Sequence, residues 1–354
     1  MSYEPLPIDC IKNNSWGYSL INSVAFHPSE DLFCAAFSSV NQLINFRIDQ
    51  FGQARVSQVI KAPEALLGGP QHVVFTPDGH NIIAVNWSSE AFTIYRREAQ
   101  TQALYGSRPV ACIPFPAPLA GFKPHGMDIS PSGKLLTVAF GWITEHKKAI
   151  GLFSLGDDGT SLRLLDSMQE EQLPGVPKGI AFSPDETCLL VTYADMNCIC
   201  IYEFDRQTGV SDPVPKQIFE GTTTRLFRPE DIKLSRDGSS ITVSNSEADC
   251  VASYAFDRAR NRITEITPTQ VLENPDAHLK FPHGIAFSPN GALLVVSQFG
   301  PLPVTSNGNI VFGKDTPRRQ ARINIYRHQH AHPALKSSPW RRSWSSLMRM
   351  IGPR

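Results

Sequence analysis

The 354-residue sequence predicts an all-β protein: a six-bladed β-propeller of four-stranded blades, closed into a ring by an N-terminal strand that completes the last blade. Three observations predict it. One turn-centred segment recurs six times, each recurrence leads to a strand with a single aromatic, and the last copy lacks a strand that the N-terminus can supply.

The copies are NSVAFHPSEDLFCAAF (22–37), QHVVFTPDGHNIIAVN (71–86), HGMDISPSGKLLTVAF (125–140), KGIAFSPDETCLLVTY (178–193), EDIKLSRDGSSITVSN (230–245) and HGIAFSPNGALLVVSQ (283–298). Their anchors are Pro28, Pro77, Pro131, Pro184, Arg236 and Pro289, at steps of 49, 54, 53, 52 and 53 residues.

Each copy opens with a short apolar strand and then a Pro-Asp/Ser/Asn-Gly turn. Pro presets φ at the second turn position and Gly takes the residue that needs φ above zero. A second apolar strand follows at once, which makes a tight hairpin, and neither strand alternates in polarity, as expected where both faces are buried. The third strand carries Phe46, Tyr95, Phe153, Tyr202, Tyr254 or Tyr326. A more polar fourth strand, such as ARVSQVI or VPKQIFE, fits in what remains. The sixth copy runs out near residue 327, so residues 5–12 (PLPIDCIK) are expected to supply its outer strand and leave no open edge. This assigns 1–330 to one domain, with blades starting near 22, 71, 125, 178, 230 and 283. The basic, Trp-containing tail 331–354 lies outside it.

Composition narrows the function classes. With 33 basic and 33 acidic residues, 41% hydrophobic and 19% charged, the chain has no basic field for nucleic acid and no sign of disorder. The start MSYEPLPIDCIKNN has neither a cationic head nor an unbroken apolar run, so a cytoplasmic location is expected. Seven cysteines have no framework spacing, and Cys198 with Cys200 is read as strand packing rather than a redox or metal pair.

Propeller strands run from the channel outward, so alignment by the turn places two rings of residues at one channel mouth. The first ring is Asn22, Gln71, His125, Lys178, Glu230 and His283. It is wholly polar at the head of very apolar strands, so these groups must face water, one another or a ligand. The second is Phe37, Asn86, Phe140, Tyr193, Asn245 and Gln298. In a functional reading His125, His283, Glu230 and Lys178 are catalytic: the histidines or Glu230 do acid and base work, and Lys178 holds an anion. His125, Glu230 and His283 form a candidate site for a divalent metal ion. Asn22, Gln71, Asn86, Asn245 and Gln298 would then bind substrate, with Phe140 and Tyr193 as an apolar wall. In the plainer reading the same residues line a hydrated channel mouth. An insertion at 299–319 falls on the same face, as binding loops do. Within it, Gly308 to Asp315 nearly matches a phosphate-binding loop, but Asp315 stands where Ser or Thr would hold magnesium.

PEDIKLSRDGSSITVSNSEADCVASYAFD and KGIAFSPDETCLLVTYADMNCICIYEFD resemble the lactonase-like propellers, the group of 6-phosphogluconolactonases and YVTN-repeat proteins. The resemblance spans 22–328, on the SPDG-type turn, a strand ending in Ser-Asn and a third strand ending in an aromatic and Asp. It implies the propeller fold and a small-molecule hydrolase of lactonase type. Two departures stand out. Those lactonases usually have seven blades, and where they often carry Asn-Arg-Gly-His this chain has Asn245, Ser246, Glu247 and Ala248, without the basic pair for a phosphorylated lactone.

Two functions follow from these residues. One is a small-molecule-binding propeller, lactonase-like or a metal-dependent hydrolase or lyase, acting at the channel mouth. The other is a non-catalytic scaffold that holds a protein partner. The tail 331–354, with its Trp and Arg residues, is a candidate contact for a protein or an anionic membrane surface.

Overall fold

A computed structural model describes residues 2–12, 20–61, 63–98, 104–142, 147–206, 208–209, 211–300 and 321–329. The insertion at 301–320 and the tail at 330–354 lie outside the described residues. Among the described residues no helix is long and apolar enough to cross a membrane.

The strands form six antiparallel sheets, each one blade. The innermost strands are Ile21–Phe26, Pro70–Phe75, Pro124–Ile129, Pro177–Phe182, Pro229–Leu234 and Pro282–Phe287. Four hairpin turns close through Gly as the sequence predicts. Gly79 N–H, for example, donates to Thr76 O at 2.8 Å, with Gly79 at φ 73°. In the fourth blade Glu186 takes that place at φ 58°, and in the first Ser29 and Glu30 N–H donate to His27 Nδ1 at 3.2 and 3.1 Å. The third-strand aromatics Phe46, Tyr95, Phe153, Tyr202, Tyr254 and Tyr326 are all buried. In blade 5 the outer strand comes in two pieces, Arg262–Ile263 and Gln270–Glu273, both paired with Cys250–Asp257.

Packing follows from having two buried faces per sheet. The apolar side chains fall into six clusters, one at each blade interface, and the cluster joining blades 6 and 1 contains Ala286, Val295 and Ile323 beside Val24, Ala35 and Ile44. Cys198 and Cys200 sit in the cluster between blades 3 and 4 and pack there as small apolar groups.

The N-terminus closes the ring with a shorter strand than expected. Asp9–Lys12 pairs with Arg322–Ile325 of the strand Arg322–Arg327, and Tyr3 adds an isolated bridge to His328. Residues 5–8 take no strand position, although Ile8 N–H still donates to Ile325 O at 2.7 Å. Removing residues 2–12 leaves the Arg322–Arg327 edge unpaired. The truncated chain is expected to self-associate, visible as an earlier elution in size-exclusion chromatography; an unchanged monomer peak would contradict that role.

Candidate functional site

Every innermost strand is bulged at its first-ring residue. The residue before it pairs with the second-ring residue, as Pro70 with Asn86, Pro229 with Asn245 and Pro282 with Gln298, and the register then slips. Asn22, Gln71 and Glu230 are each the extra residue, whereas His125, Lys178 and His283 enter the bulge with the glycine that follows. A bulge re-aims a side chain, and here all six aim at the channel mouth. Backbone N–H groups freed by the bulges find hydroxyls on the second strand: Gly179 on Thr192 at 2.8 Å, Asp231 on Ser244 at 3.0 Å and Gly284 on Ser297 at 2.9 Å. Glycine is required where neighbouring blades crowd together, since a Cβ on Gly126 would lie 2.2 Å from Lys178 O.

The first ring therefore converges. Glu230 Oε2, buried and without a hydrogen bond, lies 3.5 Å from His283 Nε2, 3.8 Å from His125 Nε2 and 3.9 Å from Lys178 Nζ. Its other oxygen accepts from Arg228 Nε at 3.2 Å, and Arg228 Nη1 donates to Glu247 at 2.8 Å. His283 Nδ1 donates to Asn22 O at 2.6 Å, which fixes the tautomer and leaves the Nε2 lone pair facing Glu230. The donor atoms of His125, Glu230 and His283 lie within 4.8 Å of one another.

Burial sets the charges. It pushes the Glu230 carboxyl up, but Lys178, His283 in its protonated form, and Arg228 outweigh it and hold the group below the usual carboxylate range. Burial lowers His125 and His283 below the ordinary imidazole value; the Lys178 charge adds to this at both, while Glu230 opposes it at His283. Lys178 is pushed down to about 8 by burial, against the pull of Glu230. The site thus holds neutral imidazoles beside an ionised carboxylate at neutral pH.

Above this floor is a cavity of about 300 Å³, lined by Asn22, Gln71, His125, Lys178, Glu230 and His283 together with Arg228 and four aromatics: Trp87, Trp142, Phe281 and Phe299. The sequence analysis names none of these five added residues as site residues, although Phe299 opens the 299–319 insertion expected to act as a binding loop. Trp87, Trp142 and Phe299 stand one or two positions past the end of a second strand, and Arg228 and Phe281 two positions before a first-ring residue. Also missed was His72, one residue beyond Gln71, which is buried with its Nε2 unpartnered.

The second ring does not line the cavity, which corrects the expectation for Asn86, Phe140, Tyr193, Asn245 and Gln298. These residues point back into their own blades. Asn86 accepts from Gly68 N–H at 3.3 Å and donates to Ala91 O at 3.0 Å; Asn245 accepts from Phe227 N–H at 3.2 Å; Gln298 donates to His278 O at 3.2 Å. They tie the second strand to neighbouring backbone. Phe140 is core at the interface of blades 2 and 3, and Tyr193 bonds Tyr202 through their hydroxyls at 2.8 Å, so neither forms the apolar wall.

Geometry and fold together define a class: a β-propeller with a polar, partly aromatic site at one channel mouth. Residues 23–228, more than half of the chain, match the family model "Lactonase, 7-bladed beta-propeller", and the chain belongs to that family. Its own ring has six blades. Similar solved structures include a luciferin-regenerating enzyme (11% identity, covering 91% of this chain and 96% of that one, TM-score 0.61). Others are the calcium-binding protein regucalcin of Agrobacterium tumefaciens (15%, 92% and 95%, 0.59) and the periplasmic gluconolactonase of Pseudomonas aeruginosa (14%, 87% and 88%, 0.55). At these identities the likeness is one of fold. No curated protein matches the chain significantly.

Proposed function

We propose that this propeller is a hydrolase of small lactones acting at the channel mouth. The observation that carries the reading is the buried, unpartnered Glu230 Oε2 with two imidazole nitrogens and an ammonium within 3.9 Å. Membership of the lactonase family and the gluconolactonase among its structural neighbours support the same chemistry.

His125, Glu230 and His283 suit a divalent ion of zinc type. Their separations of 3.5 and 3.8 Å to Glu230 Oε2 approach the ~3.4 Å edge of a tetrahedron with bonds of about 2.1 Å, and the Nδ1–H of His283 is held by a carbonyl, as in metal-ligating histidines. Calcium, named for the regucalcin neighbour, prefers six to eight oxygen donors, and one carboxylate with two imidazoles does not meet that need. A bound divalent ion supplies Lewis acidity toward a lactone carbonyl.

The chain's own groups do the rest. Arg228 fixes Glu230 through Oε1, which keeps Oε2 aimed at the histidines. Lys178 places an ammonium where negative charge grows on the carbonyl oxygen as water adds and the ring C–O bond breaks to give a hydroxy acid. The aromatic walls exclude bulk water and strengthen these charges.

Elemental analysis and native mass spectrometry of the purified protein are expected to find about one divalent metal per chain, lost in the double variant His125→Ala, His283→Ala while circular dichroism stays β-rich. Absence of metal, together with no turnover of any lactone, would refute the reading.

A further inference from the structure

The charged groups of the cavity gather at its floor, and above them four aromatics share the walls with Ser38, Ser39 and Ser88. Phe281, Phe299, His283 and His125 form one near-parallel stack running toward that floor. Their successive centroid distances are 5.7, 4.5 and 5.2 Å at interplanar angles of 14°, 22° and 27°. Trp87 and Trp142 meet edge to face at 5.0 Å, and Trp142 covers the Lys178 ammonium at 4.8 Å. The tryptophans belong to blades 2 and 3, Phe281 and Phe299 to blade 6, and blade 3 lies opposite blade 6 in a six-bladed ring. Two aromatic walls thus face each other across the mouth.

Among the described residues that line the cavity, both cations already face carboxylates. Arg228 is shared between Glu230 and Glu247, and Lys178 lies beside Glu230 under Trp142. A phosphoryl group entering here would give up its hydration and compete with two carboxylates for cations they already hold. A flat, uncharged ring would instead replace water against the walls and pack on them, meeting Phe299 at its edge because Phe281 and His283 take its faces.

We infer that the substrate is an uncharged lactone fused to or carrying a flat aromatic ring, rather than a sugar or phosphosugar lactone. The ring lies between the Trp87/Trp142 wall and the Phe281/Phe299 wall, with the carbonyl toward Glu230. This inference rests on the hydrolase reading above and names its substrate class.

The test compares turnover of 3,4-dihydrocoumarin, glucono-δ-lactone and 6-phosphogluconolactone by the full chain, and follows tryptophan fluorescence while dihydrocoumarin is titrated. The expected kcat/KM for dihydrocoumarin is at least about tenfold that for gluconolactone and on the order of 10²-fold that for the phosphorylated lactone. Dihydrocoumarin is expected to quench saturably. Trp142→Ala is expected to collapse the aryl-over-sugar ratio about tenfold, and Trp142→Phe to restore most of it. Sugar-lactone turnover equal to or above aryl turnover overturns the substrate class and leaves the hydrolase standing. Saturable quenching without turnover of any lactone keeps the aromatic slot and removes the hydrolase. Neither binding nor turnover removes both.

Discussion

Glu230→Gln is expected to lower lactone turnover by at least about 10²-fold, with the fold retained. Glutamine keeps the volume of glutamate and can still accept from Arg228, so the cavity floor keeps its shape. What disappears is the negative charge that His125, His283 and Lys178 face at 3.5 to 3.9 Å. A neutral amide oxygen is a poor ligand beside two imidazoles and a poor partner for the ammonium, so metal retention is expected to fall together with turnover. Glu230→Ala removes the side chain altogether and leaves Arg228 with Glu247 alone, so it is expected to be destabilising as well. Steady-state kinetics and elemental analysis on the glutamine variant check this. Wild-type turnover by Glu230→Gln would place the chemistry elsewhere in the channel.

Legibility of the site in the sequence depended on how far each residue stands from the turn. The first ring was legible because its bulge falls at a fixed offset from the turn anchor, Pro in five copies and Arg236 in the fifth, so counting back six residues reaches the same place in space. The second ring was misread because counting forward along a strand gives position but not side. Asn86, Asn245 and Gln298 pair with the residue ahead of each bulge and point into the blade. Trp87, Trp142 and Phe299 lie just beyond that strand, where strand alternation no longer fixes direction. An aromatic one or two places past a second strand, on the face already marked by the polar ring, was the usable signal. The fold itself was plain because every blade repeats one turn, one buried aromatic and one pair of non-alternating strands. Even the closing strand could be placed by its absence from the last copy, although the pairing holds only over Asp9–Lys12.

The same counting identifies a second polar feature that has a structural explanation. Three residues before the anchor most copies carry Ala or Val, but the third has Asp128 and the fifth Lys233. Both lie along the channel below the site, at the opposite mouth, with 22% and 17% of their side chains exposed. Lys233 Nζ reaches Asp128 Oδ1 at 3.9 Å, past blade 4, and Asp231 Oδ1 at 3.6 Å. Each aspartate also accepts a backbone N–H of the next blade, Asp128 from Phe182 at 2.9 Å and Asp231 from Ile285 at 3.0 Å. The lysine thus sits between two carboxylates that staple adjacent blades.

Lys233→Met is accordingly expected to cost about 3–5 kcal/mol, the usual loss when one partner of a buried charge cluster is removed. Burial already pushes both aspartates up, and Lys233 is the first-named charge that pulls them down. Without it both rise further, so the folded state binds protons more tightly than the unfolded chain. Stability of the variant is then greatest below the unfolded carboxylate value of ~3.9 and falls as pH rises through the raised folded values. Urea unfolding at pH 5 and pH 8 should show a larger deficit at pH 8, and adding Asp128→Asn to Lys233→Met should recover much of it. A deficit under about 1 kcal/mol at both values would mean that water already screens the cluster. The channel would then be wet from the lower mouth up to His72, whose unpartnered Nε2 lies between this cluster and the ring above.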